Sequence, residues 1–399
     1  MYRSLFKHEW SLMWKSKKNV FFIIFLFLLM AGYCFIVLPD IKSIHTLDHE
    51  ELEESIITNE PLIKSRLEKG YTGQNSFTKQ AAYHLFTAEN DRYSRLLYAY
   101  ENDQASRYLQ LKMVEPGYGI STSELSRMFE GSTYPYMDRM HFDYYTIMRY
   151  QALLDDERTL TFASLEQKTA VQLLEQLFIV GGPFLLFVAI YFSSDVLIRD
   201  RSHATLKQGF PISWYQTINV KSGVAFLYTV IVTLLLIGIG VLMVIPLYGF
   251  GHLDLSIPYL SSYNDVTLGQ YDYMSMSVFL LQSFTTLGIL LFLFVRLSMV
   301  ASLLFKKSWL VMGSLTVLLL FERVLRDRTS DTVFGMDVGF LPQTYFEFGK
   351  VAAREMNYLF LTDSISFARG VIVHGVMIMI VEAINWGLCK IRSKQRFFA

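Results

Sequence analysis

Three ionisable residues, Arg296, His374 and Glu382, lie within or at the end of long apolar runs. A charge held in hydrocarbon is expensive, so such a group normally faces a partner or a watery path. His374 and Glu382 stand eight residues apart on one predicted helix, which places them on one face. Arg296 and Glu382 are placed to pair as intramembrane polar contacts. The equal alternative is that Arg296 snorkels to the interface while Glu382 is protonated or bonded to a neighbouring helix. A second concentration of charge, Arg199, Asp200, Arg201, Lys207 and Lys221, falls in the polar stretch Ser194–Gly223 between two apolar runs. A polar hinge between two membrane spans must face water, and its basic residues place it in the cytoplasm.

Catalytic chemistry is not evident in the remaining residues. There is no G-x-x-x-x-G-K-[ST] loop to cradle a nucleotide, no H-E-x-x-H, no G-x-S-x-G elbow and no dinucleotide-binding glycine fingerprint. The eight histidines show no metal-ligand spacing, and the two cysteines, Cys34 and Cys389, both sit in apolar segments. Basic residues collect at membrane edges rather than in an aromatic-laced patch, which argues against nucleic acid as a partner. The chain is expected to be no enzyme and to bind no cofactor or metal itself.

The elements that must position these charges are spans. Hydrophobic residues make up 52% of the 399-residue chain and charged residues 18%, and the apolar ones gather in blocks about one bilayer long. The fold class is therefore an α-helical polytopic membrane protein. Residues 1–18 read as a cytoplasmic interfacial helix, with Trp10 and Trp14 as anchors, Lys7 toward lipid headgroups and Glu9 among them. Span 1 covers 19–38, with Pro39 breaking the helix where it leaves the bilayer; no cleavage signal precedes it, which predicts a retained anchor. Residues 39–170 form an extracellular domain, span 2 covers 171–197, and 198–223 is the cytoplasmic hinge. Span 3 covers 224–248, an extracellular loop 249–273, span 4 274–295, and a cytoplasmic loop 296–307. Span 5 is 308–325, cut short by Glu322 and Arg323. Residues 326–367 are extracellular or dip back as a broken hairpin; span 6 is 368–388, and 389–399 is a basic cytoplasmic tail.

The extracellular domain reads as mostly helical. Tyr93, Leu96, Leu97, Tyr100, Tyr108, Leu109 and Leu111 recur at helical spacing, and Ser121-x-x-Glu124 and Ser164-x-x-Gln167 resemble capping boxes. Its many tyrosines fit the core and rim of a small helical domain better than a substrate-lining surface. It holds 21 Asp and Glu against 14 Lys and Arg, which fits the outer side, where positive charge is sparse. Gly181-Gly182-Pro183 is expected to loosen or kink span 2. Basic residues before span 1, in the hinge, after span 4 and in the tail put both termini inside a cell membrane.

Two places resemble a known family. Lys7-His8-Glu9-Trp10, followed by Lys15–Lys18 just before span 1, is similar to the start of ABC-2-type membrane subunits of bacterial ABC exporters. The hinge resembles their segment after span 2: Asp200, Ala204-Thr205-Leu206, Gly209, Pro211-Ile212-Ser213 and Lys221. It departs at Ala204, where glycine is common, and at Trp214, where an arginine often follows. The six-span order with a large domain between spans 1 and 2 fits a subset of that family.

What the resemblance implies is a permease subunit coupled to a separate cytoplasmic ATPase, which would bring ATP and Mg. The ATPase would dock on Arg199, Asp200, Arg201, Thr205, Leu206, Gly209, Pro211, Ile212 and Ser213. A second permease copy or a sister permease completes the transporter in the lipid bilayer. The implied cargo is an amphipathic or hydrophobic compound such as an antimicrobial peptide, a drug or a lipid-like molecule. Two other classes remain: a mechanotransmitting ABC subunit acting on the envelope, and a non-ABC membrane sensor or scaffold using residues 39–170 as a receptor.

Overall fold

The computed structural model describes residues 2–41, 46, 49–73, 81–113, 129–130, 132–156, 160–203, 212–262, 270–325, 332–333 and 335–391. Five helical stretches are long and apolar enough to cross a membrane: Lys17–Asp40, Phe162–Arg201, Trp214–Tyr248, Met276–Leu304 and Phe367–Ile391. A shorter apolar helix covers Ser308–Phe321. The chain is thus mostly helical and fits a multi-pass membrane protein.

Helix α1 (Tyr2–Lys15) buries Leu5, Glu9 and Met13, a stripe at i, i+4, i+8, and leaves Lys7 exposed. Asn19 then donates from Nδ2 to the Met13 carbonyl at 3.0 Å and fixes the corner into α2. Helix α2 (Lys17–Gly32) does not end at Pro39. It passes through a π-helical turn, Tyr33–Val37, into Leu38–Asp40. Proline lacks an N–H and its ring crowds the preceding turn; the wider π turn just before it absorbs that mismatch.

Among the described residues, four helices follow: α3 (His49–Glu68), α4 (Ala82–Glu101), α5 (Ala105–Met113) and α6 (Pro135–Asp155). Leu96, Ala99, Tyr108, Leu109, Tyr150 and Leu153 are buried among them. Tyr98, Tyr100 and Tyr136 are exposed, so the tyrosines divide between core and rim. Ser121-x-x-Glu124 lies outside the described residues. Ser164 does not open a helix; α7 (Phe162–Leu165) is capped by Thr161, whose Oγ1 accepts from the Ser164 N–H at 3.3 Å.

Helix α8 (Ala170–Ser193) runs unbroken through Gly181-Gly182-Pro183. Its first free N–H groups, at Ala170 and Val171, donate to the carbonyls of Gly249 and Phe250, at 3.1 and 3.0 Å. After a 3-10 turn at Ile198–His203 comes α9 (Trp214–Tyr248), capped by Ser213. The expected outer loop contains an antiparallel pair, β1 (Ser256–Leu260) with β2 (Tyr271–Ser275), Leu260 opposite Tyr271. Pro258 removes no ladder bond: Ser261 N–H donates to the Gln270 carbonyl and Met276 N–H to that of Leu255, so Pro258, opposite Tyr273, falls at a position whose N–H would point away from the partner strand.

Helix α10 (Met276–Leu304) is the central post, the most buried of the candidate spans, and packs against α8, α9 and α11 (Ser308–Leu325). The segment after α11 is no simple loop. It forms a short pair, β3 (Thr332–Val333) with β4 (Met336–Asp337), two 3-10 turns, then α12 (Phe348–Ala352) and α13 (Glu355–Phe360), before α14 (Phe367–Ile391). Phe346 reaches Phe294, ring centroids 5.1 Å apart. Phe294 lies roughly 27 Å along α10 from its first residue at 1.5 Å per residue, so this segment folds back to mid-helix depth. Gly349 permits it: a Cβ there would stand 2.2 Å from the backbone of Phe178 in α8.

Candidate functional site

The hinge charges meet the N-terminal helix in a buried network. Lys221 on α9 is fully buried, and its Nζ lies 2.7 Å from Glu9 Oε1 and 3.1 Å from Asp200 Oδ2. Arg199 Nη2 donates to Glu9 Oε2 at 3.2 Å. Glu9 is 1% and Asp200 3% exposed, so both carboxylates and the Lys221 ammonium sit away from water, while Arg199 keeps 25% of its side chain exposed at the edge of the group. Such a group is stable only while complete, because each desolvated charge depends on the others. Three elements converge here: α1, the 3-10 turn and the first turns of α9.

Aromatic packing holds the same joint. The Trp14 ring centroid lies 5.0 Å and that of Trp10 6.2 Å from Tyr228 of α9, both edge-on, and Tyr228 in turn meets Phe192 of α8 at 5.1 Å. The N-terminal helix therefore lies against α9 as well as presenting a polar face with Lys7. Beside it, Lys18 ion-pairs with Asp195 at 3.5 Å and donates to the Tyr191 carbonyl at 2.9 Å. Ile212 is buried and Ser213 caps α9. Arg201 is half-buried. Thr205, Leu206, Gly209 and Pro211 lie outside the described residues.

A second network begins one residue further along α9. Arg296 Nη1 donates to Ser222 Oγ at 2.6 Å, and Nη2 ion-pairs with Glu382 of α14. Tyr215 donates to Glu382 Oε2 at 3.1 Å, and Asn385 Nδ2 to the Arg296 carbonyl at 3.4 Å. Arg296 is 3% exposed and is not snorkelling. His374 shares the α14 face but sits elsewhere, buried against Tyr345 and Phe346, ring centroids 5.7 and 6.4 Å away.

Helix α6 is joined to the apolar bundle by a pair that sequence reasoning passed over. Arg149 of α6 donates from Nη1 and Nη2 to Glu175 Oε1 and Oε2 of α8, at 3.0 and 2.8 Å. Both are buried, and Tyr145 Oη accepts from Arg149 at 3.1 Å. Burial opposes the Arg149 charge, but Glu175 outweighs it and raises the guanidinium pKa; burial pushes the Tyr145 phenol up to about 12. The available signal was Glu175 itself, an acidic residue inside an apolar run. Nearby, the His141 ring stacks on Tyr358 of α13 at 4.0 Å and its Nδ1 meets the Tyr271 hydroxyl, while Tyr358 donates to Asp138. Helix α6 thus rests on both β1–β2 and α13.

Among the described residues, His49, Glu53 and Glu101 bring three ligand-type atoms within 4.8 Å of one another. They lie at the surface of α3 and α4, where His49 and Glu53 form an i, i+4 ion pair at 3.4 Å. This is an ordinary arrangement of surface charge. The chain matches no family model, no curated protein and no solved structure.

Proposed function

We propose that this chain is the membrane-embedded permease subunit of an ABC exporter of the ABC-2 type. In this reading six spans, α11 included, cross the cell membrane with both termini in the cytoplasm. A separate ATPase docks on residues 198–223, and two permease copies, or one and a sister chain, move or expel an amphipathic or hydrophobic compound. The observation that carries the reading is the Glu9–Lys221–Asp200–Arg199 network. It ties the polar hinge between α8 and α9 to α1 and to the start of α9. A push on the hinge therefore reaches two membrane-associated helices through a joint with a fixed geometry. A transporter shifts its conformational balance only with a differential free energy, and the sequence has no nucleotide motif to supply it. A partner that hydrolyses ATP meets that need.

The test is an affinity pull-down of the detergent-solubilised protein from its own cells, repeated with Asp200→Ala and Pro211→Ala. An ABC ATPase recovered with the parent protein and lost with the variants supports the reading. An intact protein that brings down no ATPase, in membranes where one is made, moves the assignment to a sensor or scaffold that uses its outer helices as a receptor.

A further inference from the structure

A cavity of about 430 Å³ lies between α2, α8 and α9. Its walls come from Leu26–Cys34, Ala170–Val188 and Thr233–Val244, the halves of these helices nearest the Glu166–Lys168 corner and Gly249. The lining is almost wholly hydrocarbon, and its rim includes the exposed side chains of Leu29, Val180 and Phe184, so it opens sideways. In a membrane, that opening faces lipid tails. An apolar cavity does not hold water, and left empty it forfeits dispersion contacts in proportion to its volume.

The end of the cavity at Ala170 and Val244 carries charge of both signs. Lys168 Nζ lies 2.9 Å from Glu166 Oε2 and 5.9 Å from the Tyr248 ring centroid, two residues before Ala170. A cation and a carboxylate side by side at headgroup level complement a phosphate and an amine. We propose that this cavity binds one acyl chain of a zwitterionic phospholipid of the phosphatidylethanolamine type, with its phosphate toward Lys168 and its amine toward Glu166. Occupancy fills the space between α2 and the α8–α9 pair, so the lipid is a packing element of the bundle. This assignment does not depend on the transport reading.

Thr233 sharpens the test. It is buried in the cavity wall and, among the described residues, its Oγ1 has no hydrogen-bond partner. A hydrocarbon chain gains nothing from that hydroxyl, whereas a polar cargo would use it.

The full chain is reconstituted in phosphatidylethanolamine–phosphatidylglycerol vesicles containing a trace of phosphatidylethanolamine with a diazirine in its acyl chain, irradiated, digested and mapped. Labelling of 170–188 and 233–244 is expected to exceed labelling of the exposed α14 surface around Ile372 and Met379 by about fivefold, the contrast between a held chain and exchanging solvent lipid. Gly240→Leu, whose Cβ would meet only the flexible side chain of Met30 (Sδ at 3.0 Å), should bring cavity labelling down to the α14 level. Thr233→Val should leave it unchanged or raise it. The same probe on phosphatidylglycerol should label the cavity less, and Lys168→Ala should remove that preference. Cavity labelling no stronger than that of α14 overturns the proposal, as does a folded Gly240→Leu protein that labels like the parent. A fall with Thr233→Val overturns the hydrocarbon assignment, and equal labelling by both headgroups overturns the headgroup assignment. If Gly240→Leu does not fold, the parent ratio and Thr233→Val decide.

Discussion

Lys221 and Ser222 are neighbours on α9, yet they enter different polar networks: Lys221 binds Glu9 and Asp200, and Ser222 accepts from Arg296. Adjacent helical residues point about 100° apart, so a helix can face two partners at one level. The first turns of α9 therefore join α1 and the hinge on one side to α10 and α14 on the other. A shift of the hinge that moves α9 must rearrange both networks or carry both along.

Lys221→Met removes one charge from the first network and leaves Glu9 and Asp200 facing each other's charge away from water. Breaking a buried pair this way costs about 3–5 kcal/mol. The expected outcome is a large drop in the unfolding midpoint of the purified protein in lipid nanodiscs. Glu9→Gln added to Lys221→Met should recover part of the loss, a positive coupling that independent sites would not give.

The Arg296–Glu382 pair predicts a different pattern, because each member keeps another polar partner when the other is neutralised, Tyr215 for Glu382 and Ser222 for Arg296. Either single substitution, Arg296→Gln or Glu382→Gln, should destabilise less than Lys221→Met does. The double variant should show coupling of about 1–2 kcal/mol. Arg296→Lys should not rescue: one ammonium cannot reach Ser222 and Glu382 together in the guanidinium's fork geometry. Thermal unfolding of these four variants beside the parent and Lys221→Met measures all of this.

The sequence made the long apolar helices plain because their periodicity is unimportant; length and composition alone identify them. It marked Arg296, His374 and Glu382 as intramembrane groups but left the pairing open, since helix neighbours cannot be read from one chain's spacing. Glu9 was legible as part of an amphipathic helix and of a short resembled motif, yet with Asp200 it is one of two carboxylates that neutralise Lys221. Nothing local distinguishes a headgroup-facing glutamate from a buried one. Glu175 could have been found by the rule that flagged Glu382. The β1–β2 pair and the fold-back at 338–360 were harder, because short strands and turns carry weak patterns and are selected by packing.

Burial lowers the pKa of Lys112 in α5 to about 8, with Arg92 adding to the shift. Between that value and the ordinary lysine pKa the unfolded chain binds more protons than the folded one, so stability rises with pH across the window. Below about pH 8 the full cost of the buried charge is present. Above pH 10 the buried tyrosines Tyr145 and Tyr150, whose pKa values are raised, act in the opposite direction. The parent protein should thus gain stability from pH 8 to 10, and Lys112→Met should flatten that slope. Hydrogen exchange of α4 and α5 at several pH values is the measurement.

The Arg149–Glu175 pair makes α6 and α8 one mechanical unit. Glu175→Gln keeps the shape and one acceptor oxygen but leaves the buried Arg149 guanidinium without its counter-charge, at a cost of about 3–5 kcal/mol. Because α6 also rests on β1–β2 and α13, the loss should appear first as faster hydrogen exchange in 135–155, with α10 unchanged. Arg149→Met with Glu175→Met replaces the pair by apolar side chains of similar length and should restore protection, since desolvation is then no longer opposed. Unchanged exchange in the single variant would show that the stacked His141–Tyr358 contact holds α6 by itself.

Gly349 tests the fold-back segment with one methyl group. A Cβ there would stand 2.2 Å from the Phe178 carbonyl carbon and oxygen and 2.5 Å from the Ile179 nitrogen, all backbone atoms of a packed helix. None of them can rotate away, so Gly349→Ala must push α12 off α8 and open the contact between Phe348 and Phe178, now 5.7 Å between ring centroids. Overpacking of this kind costs about 1–3 kcal/mol or more. The displaced segment also carries Phe346 away from Phe294, so a cysteine placed at Phe346 should react faster with a membrane-permeant thiol reagent in the Gly349→Ala background, after Cys34 and Cys389 are replaced by serine. Gly339→Ala is the comparison: the atoms nearest its Cβ belong to the side chains of Ser364 and Arg369, which, unlike backbone, can shift at the expense of their bonds to Asp337. It should leave Phe346 as protected as in the parent, and equal reactivity in both variants would mean that Gly349 does not set the depth of the segment.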